Sequence, residues 1–180
     1  SRGGNDRFVR IVTTAAMVGN RPPASPPGVP HGTPFGDPAD PPILLVMGLG
    51  GSMLWWPDEF CRLLAGPGRF VIRYDQRDTG RSVTYEPGRP AYSGADMVAD
   101  AAGVLDAYEI PAAHVVGVSA GGALAQVLSI DHPDRVLSLV LISTSSAVGG
   151  DRRPLPGPAA ELTRFFTTPP DIADRDAYTE

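Results

Sequence analysis

Val115-Val116-Gly117-Val118-Ser119-Ala120-Gly121-Gly122 decides how the rest of the chain is read. An apolar run enters the pattern G-x-S-x-G, and a segment with helical character, Gly122 to Ile130, leaves it. A strand that turns very tightly into a helix lifts one side chain above the sheet edge, the arrangement called a nucleophile elbow. Gly117 and Gly121 suit it because a Cβ at either place would collide with the neighbouring strand or helix. Ser119 Oγ is then exposed, while the Ala120 N–H and the start of the helix point at negative charge developing beside it. A Gly/Ser-rich surface turn would carry the same five letters, so the flanking strand and helix carry the argument.

Working outward, Ile43-Leu44-Leu45-Val46-Met47 is a continuous apolar run between turn signals, as expected of a strand covered on both faces. Phe70-Val71-Ile72-Arg73-Tyr74 and His114–Val118 are further strands, and Leu137–Ser143 is expected as another buried one. Between them, Pro57 to Ala65 reads as a helix with Pro57 in its first turn and Phe60, Leu63 and Leu64 on one face. From Ser93 to Tyr108, the residues Met97, Ala101, Val104, Leu105 and Tyr108 recur at helical spacing behind a Ser93-x-x-Asp96 capping box. Gly122 to Asp131 is the helix out of the elbow, stopped at His132-Pro133. Phe8–Thr14 has the β-branched residues of an edge strand. Strands alternating with helices predict an α/β fold with a mostly parallel sheet and crossover helices.

Ligands of such sheets sit beyond the carboxyl ends of the strands. That edge gathers Gly48–Ser52, Asp75–Ser82, Ser119 and Ser143–Ala147. A serine hydroxyl is a poor nucleophile until a base takes its proton, and the oxyanion that forms needs at least two donors. In Met47-Gly48-Leu49-Gly50-Gly51-Ser52, three glycines let the backbone lie close to a substrate carbonyl, which makes the N–H of Leu49 the candidate second donor beside that of Ala120. Gly48 belongs to the same structural set as Gly117 and Gly121.

Composition bounds the rest. The 180 residues are 42% hydrophobic and 19% charged with a net charge of -5, values of a globular domain with a modest core. The negative balance and lack of a basic stripe argue against nucleic acid, and the apolar runs are too short to span a bilayer. No signal-peptide core is visible, so cytoplasm is the default. The one cysteine, Cys61, excludes an internal disulfide and reads as a buried, inert thiol. All fifteen basic residues are Arg, the codon bias expected of a GC-rich, bacterial genome. Residues 19 to 42 hold nine Pro and four Gly, so residues 1–34 are expected to be an irregular arm, residues 35–148 the core, and residues 149–180, with Leu162, Phe165 and Phe166, the start of a cap.

Val46-Met47-Gly48-Leu49-Gly50-Gly51, Trp56-Pro57-Asp58-Glu59-Phe60, Ile72-Arg73-Tyr74-Asp75-Gln76-Arg77-Asp78-Thr79-Gly80-Arg81-Ser82 and Gly117-Val118-Ser119-Ala120-Gly121-Gly122 together resemble the α/β-hydrolase superfamily. Asp37-Pro38-Ala39-Asp40-Pro41 and Asp131-His132-Pro133-Asp134-Arg135-Val136 are similar to its branch containing the aclacinomycin methylesterase. The match runs from about residue 35 to 147. It implies a serine esterase with a Ser-Asp-His triad, a small-molecule ester as substrate, and neither cofactor nor metal. The segment before residue 35 departs from the opening hairpin of that family.

In this fold the triad follows the order Ser, acid, His. His132 lies thirteen residues along the emerging helix, roughly 20 Å from the hydroxyl. His114 starts the strand that Ser119 ends, about 16 Å away. His31 sits in the Pro-rich arm and precedes the serine. None qualifies as the base. Asp75 opens a D-x-R-x-x-G-x-S turn whose role is expected to be structural, and Asp151 is a weak candidate for the acid. The expectation is therefore an N-terminal part of a serine ester hydrolase, with acid and base beyond residue 180. A non-catalytic remnant of the fold, or a peptidase or thioesterase using the same apparatus, are the alternatives.

Overall fold

The structure, a computed structural model, describes residues 30–86, 89–147, 159–161 and 164. The chain divides into two compact units, Ser1–Ala147 and Val148–Glu180. The first contains a five-stranded sheet built from β1 (Gly32–Phe35), β2 (Pro42–Val46), β3 (Phe70–Tyr74), β4 (Ala113–Val118) and β5 (Val136–Ile142) in the order β1-β3-β2-β4-β5. All neighbours pair in parallel except β1, which runs antiparallel to β3. Three helices connect the parallel strands: α1 (Asp58–Ala65), α2 (Gly94–Ala107) and α3 (Ala120–Asp131).

The alternation of side chains along β2 divides the core in two. Leu44 and Val46 face α2 and α3 and pack with Ile72, Tyr74, Val104, Leu105, Val115 and Leu128. Ile43 and Leu45 face the other way and pack with Val71, Trp56 and Cys61 of the α1 side. Successive residues of a strand point to opposite faces, so an unbroken apolar run is what a central strand between two helical layers requires. α2 starts at a full capping box: Ser93 Oγ accepts from the Asp96 N–H, and the Asp96 carboxylate accepts from the Ser93 N–H. Those bonds hold the Asp96 carboxyl below the usual carboxylate range.

Three expectations are corrected and two fall outside these residues. The arm expected to be irregular through residue 34 contributes an edge strand, β1. Pro34 is tolerated there because an edge strand has one side on which no N–H is needed. On α1, Phe60 and Leu63 do not form the buried face; Leu63 is 71% exposed and Cys61 is the fully buried residue, with Leu64 and Ala65 beside it. The stripe Cys61, Leu64, Ala65 has the same helical spacing as the expected one, turned by one position. β5 is not buried: Leu137, Val140, Leu141 and Ile142 are all exposed, and no described strand pairs with its outer edge. The edge strand expected at Phe8–Thr14, and the cap residues Leu162, Phe165 and Phe166, lie outside the described residues. No described helix is long and apolar enough to cross a membrane.

An apolar edge strand with free N–H and C=O groups is a template for self-association. Expressed as residues 1–180, the chain is expected to be largely oligomeric or insoluble. Val140→Lys, which puts a charge on a side chain 50% exposed on that strand, should lower the scattered light. Size exclusion with light scattering decides it; a wild-type monomer with cooperative unfolding refutes the expectation.

Candidate active site

β4 ends at Val118 and α3 begins at Ala120, leaving a single residue for the reversal. That residue, Ser119, has φ 52° and ψ −121°, a conformation L-residues avoid. Its backbone is fully engaged. The Ser119 N–H donates to the Ile142 carbonyl at 2.9 Å, and the Ser119 carbonyl accepts from the Gly122 and Ala123 N–H groups. Its side chain is exposed. The turn closes only because two positions lack a Cβ. One added to Gly117 would lie 2.6 Å from the Gly122 Cα. One added to Gly121 would overlap the carbonyl oxygens of Val46 and Met47.

The same approach brings the loop after β2 onto the elbow. A Cβ placed on Gly48 would sit 3.4 Å from Ser119 Cβ and 3.9 Å from its Oγ, so Gly48 and Ser119 are neighbours. The loop then turns through a Gly51 N–H to Gly48 carbonyl bond and Gly50 at φ +71°, with Leu49 83% exposed at its tip. Ala120 is the first residue of α3. Ser119, Gly48, Gly117, Ala120 and Gly121 are therefore one contiguous cluster, and Leu49 is the residue next to it in the chain. Two further segments meet the same edge. Thr144, after β5, packs against Gly122, and Gln76, after β3, donates from Nε2 to the Met47 carbonyl at 2.7 Å.

Asp75 is buried, with its carboxylate turned into the loops rather than toward Ser119. Oδ1 accepts from the Met53 N–H at 2.8 Å and Oδ2 from the Arg81 N–H at 3.0 Å. Gly80, at φ +51°, leaves the space this carboxylate fills, since a Cβ there would overlap it. His114 stands at the far end of β4, its Nδ1 2.8 Å from Ser138 Oγ. His132 caps the far end of α3. His31 lies beside Asp75, whose N–H its carbonyl accepts, on the opposite side of β3 and β2 from β4. No described residue hydrogen-bonds Ser119 Oγ, and Asp151 lies outside the described residues. Among the described residues no cluster of His, Cys, Asp or Glu could hold a metal ion.

Residues 41–178 match the model of the alpha/beta hydrolase fold family. The chain belongs to that family. It is 50% identical over 104 residues to the rhodomycin D methylesterase DauP of a Streptomyces species, a match covering 58% of this chain and 35% of that protein. To the rhodomycin D methylesterase DnrP of Streptomyces peucetius it is 48% identical over 104 residues, with the same two shares. Among solved structures, the enol-lactonase from Burkholderia xenovorans superimposes with a TM-score of 0.57 at 28% identity, over 64% of this chain and 43% of that one. This alpha/beta hydrolase chain thus spans 35% of the length of the two methylesterases it matches.

Sequence reasoning did not single out Gln76, Thr79 or Asp100. Gln76 stands inside a quoted motif, but nothing in the pattern says that its amide reaches a carbonyl 29 positions earlier. Asp100 was detectable as a charge on the apolar stripe of α2, where its carboxylate takes both Arg77 Nε at 2.6 Å and Nη2 at 2.8 Å.

Gly121→Ala should cost about 3 kcal/mol or more through overpacking against backbone that cannot retreat. Gly103→Ala, in mid-α2 with nothing within 4 Å of the added Cβ, should instead stabilise by about 0.4–1 kcal/mol. Urea unfolding of the two variants measures both; equal effects would refute the steric account.

Proposed function

We propose that the protein carrying this chain is a carboxylic ester hydrolase, methylesterase-like, in which Ser119 is the nucleophile and the Leu49 and Ala120 N–H groups form the oxyanion hole. The observation that carries the reading is the exposed Ser119 at φ 52°, whose own N–H and carbonyl are both hydrogen-bonded and whose side chain has Gly48 against it. Backbone strain of this kind costs about 1–3 kcal/mol and persists where the surrounding structure over-determines it. Here it aims a hydroxyl out of the sheet edge.

In that reading Ser119 Oγ attacks the ester carbonyl carbon as a base removes its proton. The carbonyl oxygen becomes an oxyanion held by the two N–H groups at the start of α3 and in the loop after β2. Collapse expels the alcohol, which takes the proton from the base, and water then releases the acid by the same steps. The base is none of His31, His114 and His132, each of which sits away from the serine. The relatives named for methylesterase activity support the ester; the all-Arg composition and the Streptomyces relatives support an actinobacterial origin. The fully buried Cys61, its thiol pushed up by burial, fits a protein of the reducing cytoplasm that does not use a thiol.

A fluorophosphonate tests the nucleophile. The longest reading frame that contains these residues should be labelled stoichiometrically and hydrolyse a methyl ester. Ser119→Ala should abolish labelling and lower kcat by at least about a thousandfold. Residues 1–180 alone should label hardly at all, because a serine without its base keeps a high pKa. Labelling that survives Ser119→Ala would refute the nucleophile, and rapid labelling of residues 1–180 would refute a base outside them.

A further inference from the structure

We propose that Gln76 is a positioning residue of the oxyanion hole, its side-chain amide fixing the Met47 carbonyl and through it the direction of the Leu49 N–H. The inference rests on the reading of Ser119 as nucleophile. The loop between β2 and the short 3₁₀ turn at Met53–Trp55 has little of its own to hold it. It contains Gly48, Gly50 and Gly51, a single internal turn bond, and an exposed Leu49. Its two ends, by contrast, are both gripped from the segment after β3. At the exit, the Asp75 carboxylate accepts from the Met53 N–H at 2.8 Å. At the entrance, Gln76 Nε2 donates to the Met47 carbonyl at 2.7 Å.

The entrance matters more for chemistry. The Met47 carbonyl belongs to the peptide that leads into Gly48, so its direction sets the plane from which the Gly48–Leu49 peptide turns. The same oxygen, together with that of Val46, is what a Cβ on Gly121 would strike, and Gly121 follows Ala120, the other donor. The Met47 carbonyl thus lies against both halves of the hole. Gln76 can aim its amide because its own backbone is pinned: its carbonyl accepts both the Thr79 N–H at 3.1 Å and Thr79 Oγ1 at 2.8 Å. It is 3% exposed, so water is a poor substitute donor.

Turnover of p-nitrophenyl acetate by the longest reading frame containing these residues separates positioning from mere stabilisation. Gln76→Met keeps the shape and loses the donor; Gln76→Glu keeps the shape and presents a carboxyl group in place of the amide. Both should lower kcat by about tenfold or more, approaching the loss of one oxyanion donor, with KM changed by less than about threefold. Val104→Ala, a cavity in the α2 layer, should lower the melting temperature and leave kcat unchanged. Gln76 variants that behave like Val104→Ala, less stable but equally fast, overturn the inference. If either variant fails to fold, the other supplies the comparison. Wild-type turnover that Ser119→Ala does not remove overturns the nucleophile reading and this inference with it, and that outcome is distinct from a normal Ser119-dependent rate insensitive to Gln76.

Discussion

The backbone of Gly121 lies directly against the carbonyl groups of Val46 and Met47, and the whole carboxyl edge of the sheet is arranged around that contact. Helix and strand can approach so closely only where no Cβ intervenes, which is why Gly117 and Gly121 bracket the serine. Once α3 is seated on the end of β2, one residue must connect β4 to it, and Ser119 takes a left-handed φ to do so. The strain is local, whereas its support is distributed. β4 is paired on both sides, with β2 and with β5, and the Ser119 N–H is itself bonded to the last residue of β5. A sharp turn in a weakly paired strand would relax by fraying; here fraying would cost ladder bonds on two sides.

A second layer of constraint is polar. Arg73, on central β3, is buried; its guanidinium bonds the Trp56 carbonyl and the Asp58 carboxylate and lies 4.9 Å from the Phe35 ring centroid. The bond from Arg73 holds the Asp58 carboxyl below its usual range. Arg77 is clamped by Asp100, bonded to Tyr85 Oη, and lies over the Tyr92 ring; the Asp100 bonds hold it more firmly protonated. Buried charges repay their desolvation only when geometry is good and partners are complete, and Arg73 Nε is buried with no hydrogen-bond partner among the described residues. What they add is direction. Arg73 ties the start of α1 to the sheet, and Arg77 ties the loop after β3 to α2, so that Asp75 and Gln76 reach the loop after β2 from a fixed base.

The elbow and the central strands were legible from the letters because their causes are local. A five-residue glycine pattern carries its own steric reason, and β2 shows its burial on both faces in five successive apolar residues. What was misread depends on partners distant in sequence. β1 is recognisable as a strand only through its register with Tyr74, Arg73, Ile72 and Val71. The buried face of α1 is set by what packs on it: Cys61 meets Trp56, Ile43, Leu45 and Val71 in the core, whereas Phe60 stacks on Trp56 at 5.7 Å from a half-exposed position. β5 has the composition of a buried strand, but burial is a property of what lies on either side, which composition does not contain. Gln76 was hidden for the same reason, as one polar letter whose partner is 29 residues away.

The same distinction separates the two halves of the proposed chemistry. A nucleophile and its oxyanion donors can be built from short contiguous segments, because one turn places a hydroxyl and a neighbouring N–H together, and one glycine-rich loop supplies the other donor. A general base is not built that way here: the first two turns of α3, Ala120 to Val127, hold no His, Lys, Asp or Glu, and later positions recede from the hydroxyl at about 1.5 Å each. His114 and His132 illustrate the two failures, one at the far end of the strand and one at the far end of the helix. The parallel topology leaves one approach, over the carboxyl edge, where the side chain of Ser119 is exposed and the loops held by Asp75 and Gln76 form one wall of the space a substrate would enter.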